Sequence, residues 1–221
     1  MTDATGCPGI WLQCMYKGSD LYYDSSHPCQ QRTSGALNWE AWIKDSRDGE
    51  FYRVVKMPDN NWWLAQNVKL ASYGGSTVGS KIDGCTANEC GRAYTCDQIQ
   101  ASYASGTSGS SGNVQGICPP GWLLPVRSNY STLGSKIGNA ATICAALRAY
   151  DSANKPINDT YGWAGRIAIA NGEMAYWTTS YSNDAGREDG LVIDWPNAGS
   201  YDTGNAGDPG SLATVRCFRT L

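Results

Sequence analysis

Asp48-Gly49-Glu50-Phe51-Tyr52-Arg53-Val54-Val55-Lys56-Met57-Pro58-Asp59-Asn60-Asn61-Trp62-Trp63-Leu64-Ala65-Gln66-Asn67-Val68 is the stretch whose reading sets the fold class. Asp48-Gly49 is a strong hairpin signal, because glycine takes positive φ without a Cβ penalty. Ile43-Lys44-Asp45 leads into that turn. Phe51 to Met57 returns from it, rich in the aromatic and β-branched residues that suit a pleated surface. Pro58-Asp59-Asn60-Asn61 is a second turn and Trp62 to Val68 a third strand. The stretch predicts an antiparallel meander.

Working outward, residues 1–40 are rich in Cys, Gly and Tyr and follow no sustained period, which predicts an irregular N-terminal extension before a domain spanning 41–221. Downstream, residues 71–116 are Gly-, Ser- and Thr-rich, and 105–112 reads as a flexible surface loop. A short helix is expected between Gly91 and Ala104, with Tyr94, Ile99 and Tyr103 on one side. Cys118-Pro119-Pro120-Gly121-Trp122-Leu123-Leu124-Pro125 is an extended, proline-bounded segment. A second helix is expected from Ser128 or Thr132 through Leu147, with Leu133, Ile137, Ile143 and Leu147 as its apolar side. Short strands then follow at Arg166–Ala170, Ala175–Ser180, Gly190–Trp195 and Leu212–Arg219, with a long Gly-, Asn- and Asp-rich loop between the last two. No repeat or linker divides the domain. Two helices, short antiparallel sheets and long irregular loops make the class α+β.

Composition agrees. The 221 residues are 41% hydrophobic and 17% charged, enough to build a core. There are 26 Gly, 9 Trp and 13 Tyr against 2 Phe, a mixture suited to irregular segments that must be both packed and hydrogen-bonded. The 17 Lys and Arg are dispersed and the net charge is −3, so no basic stripe exists to neutralise a nucleic-acid backbone. No apolar run approaches the roughly 18 residues of a membrane span. Nine cysteines imply an oxidising destination. The first six residues carry neither a basic n-region nor an apolar h-region, so no signal peptide is visible. An extracellular, cell-surface or virion location is expected, reached by a removed signal or by a route without one.

Several of these segments, in order, resemble the Fibrobacter major paralogous domain family. They are Asp48 to Lys56, Asn61 to Asn67, Cys90-Gly91-Arg92-Ala93-Tyr94-Thr95, Cys118 to Pro125, Tyr176-Trp177-Thr178-Thr179-Ser180 and Val215-Arg216-Cys217-Phe218-Arg219. The resemblance spans roughly 43–219. It implies a C-type-lectin-like fold related to the formylglycine-generating enzyme superfamily. It also implies adjacency of the two motifs that hold Cys118 and Cys217, hence a disulfide between them.

Domains of this family look like the variable proteins of diversity-generating retroelements. There, mutated asparagine codons yield residues such as Asn, Tyr, Asp, Ser, Thr and Gly but never Trp, Glu, Gln, Lys or Met. The segment from Tyr176 to Cys217 is rich in those accessible residues. Tyr, Ser, Asn and Gly are also what paratopes use, Tyr for contact area and the others for adaptable hydrogen bonds. The expected ligand-binding positions are Tyr181, Asn183, Asp184, Arg187, Asp189, Asn197, Tyr201, Asp202 and Asn205. Tyr181, Arg187 and Tyr201 are the expected anchors, since hot spots favour Tyr and Arg. The expected partner is a protein or glycan on a target surface.

Other chemistries are weaker. The Glu-Pro-Asn, Gln-Pro-Asp and Trp-Asn-Asp triplets of calcium-dependent lectins are absent, and Trp195-Pro196-Asn197 reads as a turn. No cofactor is expected, though loop carbonyls leave room for a structural cation. Formylglycine-generating relatives carry a close cysteine pair near the C-terminus, where this chain has only Cys217. One histidine, His27, and no Gly-x-Ser-x-Gly elbow argue against a nucleophile–histidine hydrolase. Cys7, Cys14, His27 and Cys29 are zinc-type ligands without a Cys-x2-Cys knuckle, so disulfides or free thiols are expected and no metal. A non-catalytic, receptor-binding protein is the leading expectation. A pilus-like or other surface subunit, and an enzyme-like relative of the formylglycine-generating oxidases, are the alternatives.

Overall fold

In the computed structural model the meander is the middle of a six-stranded antiparallel sheet. Described are residues 21–22, 26, 30–31, 39–82, 86–100, 114–138, 173–181, 188–194, 201–202, 205–207 and 212–220. Strands β3 (Trp39–Lys44), β4 (Phe51–Lys56) and β5 (Trp62–Leu64) follow one another, with Ile43 opposite Tyr52 and Val55 opposite Trp63. Gly49 takes φ +79° in the first turn, and its N–H donates to the Asp45 carbonyl at 2.8 Å. In the second turn the Asp59 carboxylate accepts from Asn61 N at 3.1 Å and from Trp63 Nε1 at 3.0 Å. That last bond satisfies the indole of a fully buried tryptophan.

The third strand ends sooner than its sequence suggests, at Leu64 rather than Val68. Leu64 N donates to Cys217 O, Ala65 N still donates to Arg53 O of β4 at 2.8 Å, and Val68 N donates to Val215 O, so the chain beyond Leu64 runs on along the C-terminal segment without ladder pairing to β4. There the last strand, β12 (Phe218–Arg219), pairs with β5, Phe218 opposite Trp63, whereas β6 (Ser72–Tyr73) and β7 (Ser76–Thr77) pair with each other in a separate hairpin. The expected Leu212–Arg219 strand is thus only its last two residues plus single bridges at Ala213 and Thr214. At the other edge, the expected irregular extension supplies two dipeptide strands, β1 (Leu21–Tyr22) and β2 (Gln30–Gln31), both antiparallel to β3. Pairing covers an edge that would otherwise template association.

The short helix expected between Gly91 and Ala104 is α2 (Cys96–Gln100), and a further short helix, α1 (Ala87–Cys90), precedes it. Gly91 at φ +71° ends the first, and a Cβ there would sit 2.4 Å from Asn67 Cβ. Tyr94, between them, is not helical: it forms an antiparallel bridge with Ala213, and its hydroxyl donates to Leu70 O at 2.9 Å. The main helix α3 is Arg127–Ile137, burying Tyr130, Leu133, Gly134 and Ile137 at helical spacing. It stops before the expected Leu147, because Gly138 at φ +138° leaves helical geometry. Ile143, Leu147, Tyr103, the 105–112 loop and the Arg166–Ala170 strand lie outside the described residues.

The core has two sides. Trp62 and Leu64 join Ala41, Ile43, Tyr52, Val54, Tyr94, Trp122, Leu124 and Val215 on one side of β5. Trp63 joins Phe218 and Tyr130 on the other, with ring centroids 5.1 and 5.2 Å away. Trp62, Trp63 and Trp122 are all scaffold, none more than 5% exposed. Cys118 and Cys217 are joined by a disulfide with Cα atoms 5.8 Å apart, within the ordinary range. Cys90 is disulfide-bonded as well. These bonds point to a non-reducing compartment. Among the described residues no helix is long and apolar enough to cross a membrane.

Candidate functional site

The strands expected at Ala175–Ser180 and Gly190–Trp195 are present, and the described residues of the expected loop between Trp195 and Leu212 join them in a second sheet. Strands β8 (Glu173–Tyr181) and β9 (Glu188–Asp194) pair antiparallel, with a register shift between Trp177 and Tyr181. On the other edge of β9 lie β10 (Tyr201–Asp202) and β11 (Asn205–Gly207). Tyr201 faces Ile193, Asp202 faces Val192 and Asn205 faces Asp189, a single unbroken register that shifts only at Gly207. A run of Gly, Asn and Asp hides such pairing from a local reading, because the partner strand supplies the order.

Register sorts the candidate positions. Tyr176 pairs with Leu191 and Met174 with Ile193, so Asp189, Leu191, Ile193, Tyr201 and Asn205 occupy rows on the Tyr176 face of the pleat. Asp202, opposite Val192, and Tyr181, opposite Glu188, occupy the alternate rows on the other face. Tyr181, Asp189, Tyr201, Asp202 and Asn205 are therefore brought into one sheet, all as strand-paired positions rather than loop positions. Asn183, Asp184, Arg187 and Asn197 lie outside the described residues.

Tyr176 is the root of this sheet. It is fully buried, bridges Thr214 in parallel, and stacks on Tyr130 of α3 at 6.2 Å. The Arg216 guanidinium lies 5.5 Å over its ring. Arg216 is itself fully buried, with Nε donating to Asn67 Oδ1 and an Nη to the Leu64 carbonyl at 3.1 Å. Asn67 Nδ2 in turn donates to Cys90 O at 2.8 Å. A buried guanidinium needs such acceptors, because desolvation removes its water. Burial pushes the Tyr130 phenol well above its ordinary range; neighbouring Tyr176 adds to the rise and Arg216 opposes it. Among the described residues its hydroxyl has no hydrogen-bond partner, nor does Trp122 Nε1.

Arg216, Asn67 and Tyr176 were not singled out by residue chemistry, since arginine and asparagine are ordinarily exposed. The available signal was contextual. Arg216 sits between Val215 and Cys217-Phe218, an apolar frame that is improbable for a solvated arginine. Among the described residues no group of three His, Cys, Asp or Glu is placed to hold a metal ion. Cys7, Cys14, His27 and Cys29 lie outside the described residues. Compared with known proteins, the chain matches no family model, no curated protein and no solved structure.

Proposed function

We propose that the chain is a non-catalytic binding protein, exported from the cell or carried on a virion, that presents its second sheet to a protein or glycan ligand. The observation that supports this reading most is the way the sheet is attached. Its root is Tyr176, and the chain returns from it to Ala213, Thr214, Val215, Arg216 and Cys217, all buried. Between those anchors runs a segment of Tyr, Ser, Asn, Asp and Gly that builds its own sheet. Such a segment can change side chains while the anchors keep the fold, because exposed substitutions ordinarily alter stability by no more than about 0.5 kcal/mol.

The ligand surface in this reading is the face carrying the rows of Tyr181 and Asp202, together with Asn183, Asp184 and Arg187. Asp189, Tyr201 and Asn205 occupy the alternate rows of the same sheet. The motif order supports a C-type-lectin-like fold and a variable protein of a diversity-generating retroelement. A neighbouring reverse transcriptase gene, with a template repeat of the codons for Tyr176 to Cys217, is expected on that account.

The binding test is a surface-displayed library randomised at Tyr181, Asn183, Asp184, Arg187 and Asp202. It would be selected against unrelated purified proteins and immobilised glycans. Most clones should display at the parental level with the disulfide intact, and binders to several targets should emerge. Collapse of display in most clones would make the segment structural. Folded clones that never yield binders would place the surface elsewhere.

A further inference from the structure

The geometry points to Arg216 as a positioning residue: through the ring of Tyr176 it latches the second sheet to the first, so the scaffold sets the sheet's placement. This rests on the binding reading only for its purpose, since the latch itself is a property of the free protein.

Two motifs remain without a role after the binding surface is assigned, Ala65-Gln66-Asn67 and Val215-Arg216-Cys217. The structure joins them. Asn67 Oδ1 and the Leu64 carbonyl hold the guanidinium, and Asn67 is held by the Cys90 carbonyl. Gly91 is what permits the approach, because any Cβ there would collide with Asn67. Arg216 is thereby fixed at one end by two scaffold acceptors, the Asn67 amide oxygen and the Leu64 carbonyl. Its guanidinium carbon lies over the Tyr176 ring. Arginine suits this task where lysine does not: the guanidinium is a rigid fork that hydrogen-bonds at its edge while stacking through its face. The contact is fully desolvated, the setting in which a cation over an aromatic ring is strongest.

The second sheet needs such a hold, because a sheet of few strands requires packing on one face to be stable in water. Tyr176 is attached to the scaffold through the Thr214 bridge, the Tyr130 stack and the Arg216 cation. The first two are ordinary packing and backbone pairing. The third links the sheet to β5 through polar groups whose geometry is directional.

Hydrogen exchange on the free, disulfide-bonded protein tests this in Arg216→Lys, Tyr176→Leu and the double variant. In each, amides of Glu188–Asp194 should exchange about tenfold faster while those of Phe51–Lys56 stay within about twofold of the parent. The double variant should match Tyr176→Leu alone, because the arginine acts through the ring. Equal acceleration in both sheets would reduce Arg216 to a general stability residue and overturn the latch. Multiplying effects in the double variant, or unchanged Glu188–Asp194 exchange, would also overturn it. Should Arg216→Lys fail to fold, Asn67→Ala, which removes the acceptor but keeps the arginine, takes its place in the cycle. No ligand enters the experiment, so a failed binding selection leaves its result standing.

Discussion

Replacing Arg47 by Met should be among the most damaging single changes in the first hairpin. Asp45 has no exposed surface, and its carboxylate accepts from Arg47 N at 3.0 Å, from Arg47 Nε at 3.0 and 3.2 Å, and from an Arg47 Nη at 2.7 Å. The same Nη also donates to the Ile117 carbonyl at 2.9 Å, tying the turn to the segment before Cys118. Met fills much of the same volume but removes every side-chain donor. What remains is a sealed carboxylate with one backbone N–H, and stripping the partner from a buried ion pair costs about 3–5 kcal/mol. The Arg47 side chain is 15% exposed, so some water reaches the gap and the lower end, about 3 kcal/mol, is expected. Asp45→Asn should cost less, about 1–2 kcal/mol, because Asn keeps an acceptor for Arg47 N and the orphaned guanidinium sits at the rim. Asp45→Asn combined with Arg47→Met should be milder than Arg47→Met alone. Urea unfolding at constant m reads all three. If Arg47→Met lies within about 1 kcal/mol of the parent, or Asp45→Asn is the costlier change, the ion pair does not organise this turn.

Three further outcomes are expected. Cys118→Ala with Cys217→Ala opens a loop of sequence separation 99, which in the chain-entropy treatment removes about 4.7 kcal/mol, so the urea midpoint should fall sharply. An unchanged midpoint would mean other constraints already hold those segments together. Trp122→Ala should cost about 3–5 kcal/mol, since the side chain is 1% exposed within the core, and unaltered melting would contradict that placement. Burial raises the phenols of Tyr52, Tyr94 and Tyr130 above the ordinary value of 10.0. The folded state therefore holds them neutral, giving stability that is complete below pH 10.0 and lost as pH rises beyond it, where the unfolded phenols ionise. Ultraviolet difference absorbance should show these phenols ionising only together with unfolding. Smooth titration of all tyrosines with the far-ultraviolet dichroism unchanged would show that they are not sealed.

What the sequence determined by itself was local. Asp48-Gly49 and Pro58-Asp59-Asn60-Asn61 carry their turns in their own φ preferences, and Phe51 to Lys56 carries its strand in β-branched and aromatic content. The apolar spacing of Leu133 and Ile137 names the buried side of α3 without reference to what covers it. Tertiary structure decided everything that depends on a distant partner. Val68 falls outside the third strand and bonds instead to Val215, and Tyr94 leaves a helical pattern because Ala213 pairs with it. Tyr201, Asp202 and Asn205 become strand because β9 lies alongside, although their composition reads as loop. The burial of Asp45 was equally out of reach of a local reading, and that of Arg216 was signalled only by its apolar neighbours in the chain. A charged residue can be buried only where acceptors or donors from other segments converge, and that convergence exists only once the chain has folded.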